Sequence, residues 1–163
     1  MTLVLGVDPG SLSTGYGLIK KENNTLIYVE GGKISFSRPL PFQERVHRIF
    51  TSLIEIITAY HPNEMSIEDI FFAKNVKSAL KMGHVRGAAL VAGIQCGLKV
   101  FEYTPLQIKQ SVVGYGRASK EQVRSMVKLL LKLDIHLPLD TSDALAIAIC
   151  HLNWVQFDNP PHP

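Results

Sequence analysis

Leu3-Val-Leu-Gly-Val-Asp8-Pro-Gly-Ser11, followed by Thr14-Gly-Tyr-Gly-Leu-Ile-Lys20, is the stretch whose reading decides the fold. Leu3 to Val7 is an apolar run that ends on the acid Asp8, which reads as a buried strand with a carboxylate at its end. Pro9 and Gly10 then turn the chain, since proline fixes φ and glycine tolerates unusual backbone angles. In the second run Gly15 and Gly17 alternate with larger residues, as in a strand that neighbouring backbone approaches closely. Glu22-Asn-Asn24 signals a hairpin turn, and Thr25 to Phe36 continues the meander.

Working outward, Gln43 to Tyr60 is the clearest helix. Val46, Ile49, Phe50, Leu53, Ile57 and Tyr60 fall on one stripe, and Pro62 stops it. Met65 to Glu68 is a short strand that again ends in acids. A second helix is expected from about Lys74 to Gln95, with Val76, Leu80, Gly83, Gly87, Val91 and Ile94 on its apolar or small face. Leu98 to Tyr103 is a further strand. Thr104-Pro-Leu-Gln107 and Ser119-Lys-Glu-Gln122 carry the pattern of capping boxes that open two more helices. The helix after Ser119 should bury Val123, Met126, Val127 and Leu130. Asp140-Thr-Ser-Asp143 opens the last helix, Thr141 to about Trp154. The order β-β-β-α-β-α-β-α-α-α implies an α/β fold: a five-stranded mixed sheet with helices on both faces.

The chain has 163 residues, 46% of them apolar and 19% charged. Its mean hydropathy is +0.12. These values suit one compact domain, expected over residues 1–156, with a flexible tail at 157–163, and they exclude disorder for the bulk of the chain. Seventeen Lys and Arg against fourteen Asp and Glu give a formal charge of +3, too small a surplus to indicate a polyanion partner by itself. The start lacks a basic n-region, and Gly87 to Leu98, the most apolar stretch, is shorter than the roughly 20 residues that span a bilayer. A cytoplasmic protein with no membrane partner is expected, with Cys96 and Cys150 as reduced core thiols.

Four acids stand out by position. If the strands ending at Asp8 and Glu68 are parallel neighbours, both carboxylates emerge at one carboxyl edge, where open α/β sheets place their sites. Asp140 and Asp143, three apart at a helix start, can face one side. Close carboxylates repel unless a cation neutralises them, and ligation by oxygen alone favours Mg²⁺ or Mn²⁺. Two such ions can activate water for phosphodiester cleavage. Plainer roles compete: Asp140 suits an N-cap, Asp143 a helix N-terminus, and Asp8 an Asx turn.

Two cationic stripes accompany the acids. Lys74, Lys77, Lys81 and His84 share one side of the second helix, and Arg117, Lys120, Arg124 and Lys128 form the other stripe. Each suits a solvated face; beside an acidic metal cup each also suits a phosphate backbone. Phe71-Phe72, three residues after Glu68, offers a ring that is either core or free to stack on unpaired bases.

The ordered set Leu5-Gly-Val-Asp-Pro-Gly-Ser11, Thr14-Gly-Tyr-Gly17, Ile67-Glu68, Phe71-Phe-Ala-Lys-Asn75, Ser78-Ala-Leu-Lys-Met-Gly83, Phe101-Glu-Tyr103, Ile108-Lys-Gln-Ser-Val-Val-Gly114 and Asp140-Thr-Ser-Asp-Ala-Leu-Ala-Ile-Ala148 resembles the RuvC family of bacterial Holliday junction resolvases, over about Leu3 to Trp154. The resemblance implies a ribonuclease H-like fold and a homodimeric, Mg²⁺-dependent endonuclease of recombination and repair. Such an enzyme cuts four-way junction DNA symmetrically, leaving 5′-phosphate and 3′-hydroxyl ends. By match to motif, Asp8, Glu68, Asp140 and Asp143 are its metal-binding catalytic acids, holding two ions. Lys109 and Lys120 match basic residues near the scissile strand, and Phe71 matches the aromatic that engages bases at the crossover. A branch-migration motor of the RuvA and RuvB type is the implied partner. Family members often end in a basic tail, whereas this chain ends Asn159-Pro-Pro-His-Pro163.

Gly83, Gly87, Ala88 and Ala92 would allow the second helix to approach its symmetry mate closely, although the same face could instead pack on its own sheet. The Asp-Pro-Gly turn also opens actin-like and sugar-kinase folds, but those need two lobes around a nucleotide, 163 residues supply about one, and no G-x-x-x-x-G-K-[ST] run occurs. A non-cleaving junction scaffold would not need the acids.

Overall fold

A computed structural model describes residues 1–69 and 74–155. Its elements are β1 (Thr2–Asp8), β2 (Thr14–Glu22), β3 (Thr25–Ile34), α1 (Phe42–Tyr60), β4 (Glu64–Glu68), α2 (Val76–Gln95), β5 (Lys99–Tyr103), α3 (Pro105–Val113), α4 (Lys120–Leu130) and α5 (Leu139–Trp154). The sheet order is β3-β2-β1-β4-β5. β1, β2 and β3 form an antiparallel meander, whereas β1–β4 and β4–β5 are parallel. Asn23 and Asn24 both adopt positive φ, 46° and 64°, and join β2 to β3 in the two-residue turn that matches strand twist.

Strand alternation sorts the side chains between two cores. Leu5, Val7, Leu18, Met65 and Ile67 face α1 and α2, where Ile49, Leu53, Val85 and Ala89 meet them. Val4, Ile19 and Tyr103 face α5, with α3 and α4 packed around it. Each fully buried Leu or Ile contributes about 1.5–3 kcal/mol of transfer free energy. The two clusters give the mixed sheet with helices on both faces expected of a ribonuclease H-like fold. α5 is buried along most of its length, and it lies so close to the sheet that a Cβ at Gly6 would strike the backbone of Ala144 and Ala148.

Beneath α5 the imidazole of His151 bridges Tyr103 Oη (2.7 Å) and Glu64 Oε2 (2.8 Å). Burial pushes the His151 pKa down, which favours the neutral ring; Glu64 opposes this. Cys96 and Cys150 are unbridged. Among the described residues no helix is long and apolar enough to cross a membrane.

Several local expectations need correction. α5 starts at Leu139, with Pro138 in the cap position and no side-chain cap, so Asp140 lies inside the helix and does not cap it. Lys74 precedes α2, whose cap is Asn75, its side chain accepting from Ser78 N. The stripe Val76, Leu80, Gly83, Gly87, Val91 and Ile94 does not pack on the sheet: Val76 is 77% exposed and Ile94 63%, and a Cβ at Gly83 or Gly87 would meet nothing. The sheet-facing residues of α2 are Val85, Ala89, Ala92 and Gly93, so Ala92 belongs to the core and not to the open face. Leu130, at the end of α4, is 37% exposed. Both capping boxes form, at Thr104/Gln107 and Ser119/Gln122.

Candidate active site

The register of the parallel pair places the acids. Val4 lies opposite Glu64 and Gly6 opposite Ser66, so Asp8 and Glu68, each two residues further on, reach the same carboxyl edge in the same phase. Gly6 faces α5, as the contact with Ala144 shows, and Asp8 in phase with it points to the same side. There α5 supplies Asp143 from its second turn. A cleft of about 110 Å³ results, lined by Asp8, Glu68 and Asp143, by Lys109 of α3 and Lys120 of α4, and by the apolar Ile108, Val123 and Ile147.

The acids feel one another. Burial, with the Glu68 and Asp143 charges beside it, pushes Asp8 up to about 8. Its carboxyl shares a hydrogen bond with Glu68. Burial raises the Glu68 pKa; Asp143 adds to the rise, while the bond from Asp8 and the ammonium groups of Lys120 and Lys109 oppose it. Burial raises Asp143 as well, against the Lys120 Nζ that stands 3.6 Å from its Oδ2. Three partly desolvated carboxylates with raised pKa values form a site that gains from a bound cation. The donor set is oxygen alone, which suits a hard divalent ion. Among the described residues, no three acids, histidines or cysteines already stand at ligating spacing. A bound ion would draw the acids together.

Two supports flank the cleft. Arg86 of α2 donates from Nε to the Glu68 carbonyl (3.3 Å) and its Nη2 pairs with Glu102 (2.6 Å) and Asp69 (3.4 Å), bracing the end of β4. On the opposite side Ser13 Oγ donates to Asp140 Oδ2 at 2.7 Å. The sequence did not single out Ser13 or Arg86; both act across the fold with no local spacing to reveal them.

The expected site residues therefore divide. Asp8, Glu68, Asp143, Lys109 and Lys120 share the cleft. Asp140 lies beside it, one turn before Asp143 on α5 and electrostatically coupled to it. Lys74 and Lys77 are exposed, and Lys81 Nζ stacks 5.7 Å from the centre of the Phe42 ring, away from the cleft lining. Arg117 is exposed between α3 and α4, and Arg124 pairs with Glu121 at 2.7 Å while its charge also reaches Asp143. Phe71 and Phe72 lie outside the described residues.

Comparisons with known proteins show the family. A family model described as crossover junction endodeoxyribonuclease RuvC matches residues 4–151. A protein of that name from Geotalea uraniireducens is 54% identical over 150 residues, covering 92% of this chain and 88% of its own; one from Halothermothrix orenii is 49% identical over 152 residues, covering 93% and 92%. Among solved structures, T. thermophilus RuvC in complex with Holliday junction substrate superposes with a TM-score of 0.91 at 33% identity, covering 98% of each chain. The yeast mitochondrial Holliday junction resolvase Ydc2, at 14% identity and a TM-score of 0.69, shares the fold. The chain belongs to the RuvC family of crossover junction endodeoxyribonucleases.

Proposed function

We propose that this protein resolves four-way DNA junctions by paired, metal-dependent phosphodiester hydrolysis, with its catalytic centre in the cleft at the carboxyl edge of β1 and β4. The observation that carries the reading is the convergence there of Asp8, Glu68 and Asp143, each with a raised pKa, beside Lys109 and Lys120.

Asp8, Glu68, Asp140 and Asp143 would hold Mg²⁺, with Mn²⁺ as a substitute and two ions per site. When bound, the metal supplies an activated water and neutralises charge on the phosphoryl and leaving oxygens. The chain's own side chains do the rest. Asp8 is central to the donor set because it lies between Glu68 on the neighbouring strand and Asp143 on the helix above. Lys109 and Lys120 hold the scissile phosphate, and the apolar floor of Ile108, Val123 and Ile147 limits bulk water under it. A water oxygen bonds to phosphorus as the bond to the 3′ oxygen breaks, leaving a 3′-hydroxyl and a 5′-phosphate. Lys74, Lys77, Lys81, Arg117 and Arg124 are assigned to the DNA outside the cleft, and Phe71 to bases at the crossover.

A homodimer is the proposed working form, joined through the exposed face of α2. Val76, Leu80, Val91 and Ile94 offer apolar contacts there, and Gly83 and Gly87 leave room for a second helix. An isologous pair of sites matches the two-fold symmetry of a junction. Residues 1–156 form the nuclease domain, 157–163 a tail with no basic residue but one histidine; motor proteins of the RuvA and RuvB type are the partners, in the cytoplasm.

The direct test is incubation with a synthetic four-way junction and a linear duplex, with and without Mg²⁺. Paired nicks in the junction alone, requiring metal, are expected. Equal cutting of the duplex, or an intact junction under all Mg²⁺ and Mn²⁺ conditions, overturns the reading.

A further inference from the structure

We infer that Ser13 is a positioning residue: it holds Asp140 in the orientation that the metal site needs. The inference rests on the reading above, in which Asp140 is one of the metal-binding acids.

The contact joins positions 127 residues apart, with Ser13 Oγ donating to Asp140 Oδ2 at 2.7 Å. A serine hydroxyl has one proton, and here it is spent on one carboxylate oxygen, which leaves Oδ1 for a ligand. Asp140 makes no cap to its own helix. Without Ser13 its carboxylate would turn among rotamers at the rim of the cleft, and that freedom would be lost on each capture of an ion.

The turn carrying Ser13 is fastened on three sides. Thr14, fully buried, closes it: its Oγ1 donates to the Gly10 carbonyl (3.1 Å) and accepts from Gly10 N (3.3 Å). Arg45 of α1 donates from Nη1 to the Ser11 carbonyl at 2.7 Å. Gly15 follows, paired in register with Asp8 on β1, and its bare Cα lets the strand lie against the Asp140 carbonyl, where a Cβ would collide. One short segment therefore contacts two of the acids: Gly15 sets the backbone of Asp8 and Asp140, and Ser13 sets the Asp140 side chain. Outer partners of this kind typically change metal affinity by about 10–100-fold.

The test compares Ser13→Val with Ser13→Thr, two side chains of the same shape of which only threonine keeps the hydroxyl, and with Asp140→Ala. Mn²⁺ binding to the DNA-free protein is measured by titration calorimetry and electron paramagnetic resonance, and junction cleavage is measured against Mg²⁺ concentration. Ser13→Val is expected to weaken Mn²⁺ about tenfold and to raise the half-saturating Mg²⁺ similarly, with the rate at saturating Mg²⁺ and junction affinity in Ca²⁺ little changed. Ser13→Thr should restore parental Mn²⁺ affinity. Parental affinity in Ser13→Val, alongside lost affinity in Asp140→Ala, overturns the positioning role and leaves Asp140 a ligand. Parental affinity in Asp140→Ala removes the acid from the site and the role of Ser13 with it.

Discussion

Asp8 and Glu68 end adjacent parallel strands in the same phase, and one hydrogen bond joins their carboxyl groups. No flexible loop intervenes: the sheet register itself sets the two acids side by side. Replacing Asp8 with Asn keeps the size of the side chain and removes its charge. Asp8→Asn is expected to bind junction DNA with near-parental affinity while cutting it about a thousandfold more slowly, a loss of ~4 kcal/mol of transition-state stabilisation. Gel-shift and single-turnover assays on one junction check both halves, and full cleavage by the variant would contradict the assignment.

The raised pKa of Asp8 gives the metal-free protein a distinctive pH response. An acid pushed up to about 8 holds its proton in the folded state where the unfolded chain has released it, so its contribution to stability falls as pH rises from about 4 to about 8. Glu68 and Asp143, raised in the same direction, add to the trend. In EDTA, the melting temperature of the parent should fall more across this range than that of Asp8→Asn, and Mg²⁺ should restore most at the alkaline end. Parallel melting curves for the two proteins would count against the raised pKa of Asp8.

Lys120 is 69% exposed and stands 3.6 Å from Asp143, so its ion pair adds little to stability. Its value lies in the phosphate it can hold. Lys120→Ala should leave the melting temperature unchanged and reduce the slope of log affinity against log salt by about 0.9, the contribution of one duplex phosphate contact. An unchanged slope places Lys120 off the DNA.

The open face of α2 carries the dimer proposal. Leu80 is 59% exposed in the N-terminal half of the stripe. Leu80→Glu is expected to give a folded monomer by sedimentation equilibrium, with single nicks replacing paired cuts. A dimer that survives both Leu80→Glu and Val91→Glu would require another interface.

The close approach of α5 to the sheet makes Gly6 a stability determinant. Gly6→Ala forces a methyl group onto the backbone of Ala144 and Ala148. It should destabilise the protein by about 1–3 kcal/mol, the usual range for overpacking, and this is measurable by urea unfolding.

Much of this architecture was legible in the chain because its signals are local. Apolar runs ending in Asp8 and Glu68, the Asn23-Asn24 turn and the two capping boxes each declare an element within a few residues. The order of elements allows the parallel pairing of β1 with β4 without fixing it, and the shared site edge is a consequence that only the sheet itself settles. Contacts made across the fold were not legible. Asp140 suits a cap by residue type, but the backbone enters α5 two residues sooner at Pro138, and the carboxylate turns to a serine far back in the chain. The α2 stripe has a core-like period, yet the sheet takes the neighbouring face through Val85, Ala89 and Gly93. His151 sits in an apolar run whose pattern says nothing of Glu64 and Tyr103. Periodicity shows that a face is apolar, and only tertiary packing decides what covers it.

The most direct measurement is anomalous diffraction from crystals soaked in Mn²⁺. Anomalous peaks within about 2.5 Å of carboxylate oxygens of Asp8, Glu68 and Asp143 are expected, as for a hard divalent ion held by oxygen. Crystals that bind Mn²⁺ elsewhere, or that leave this cleft empty at saturating metal, would contradict the account.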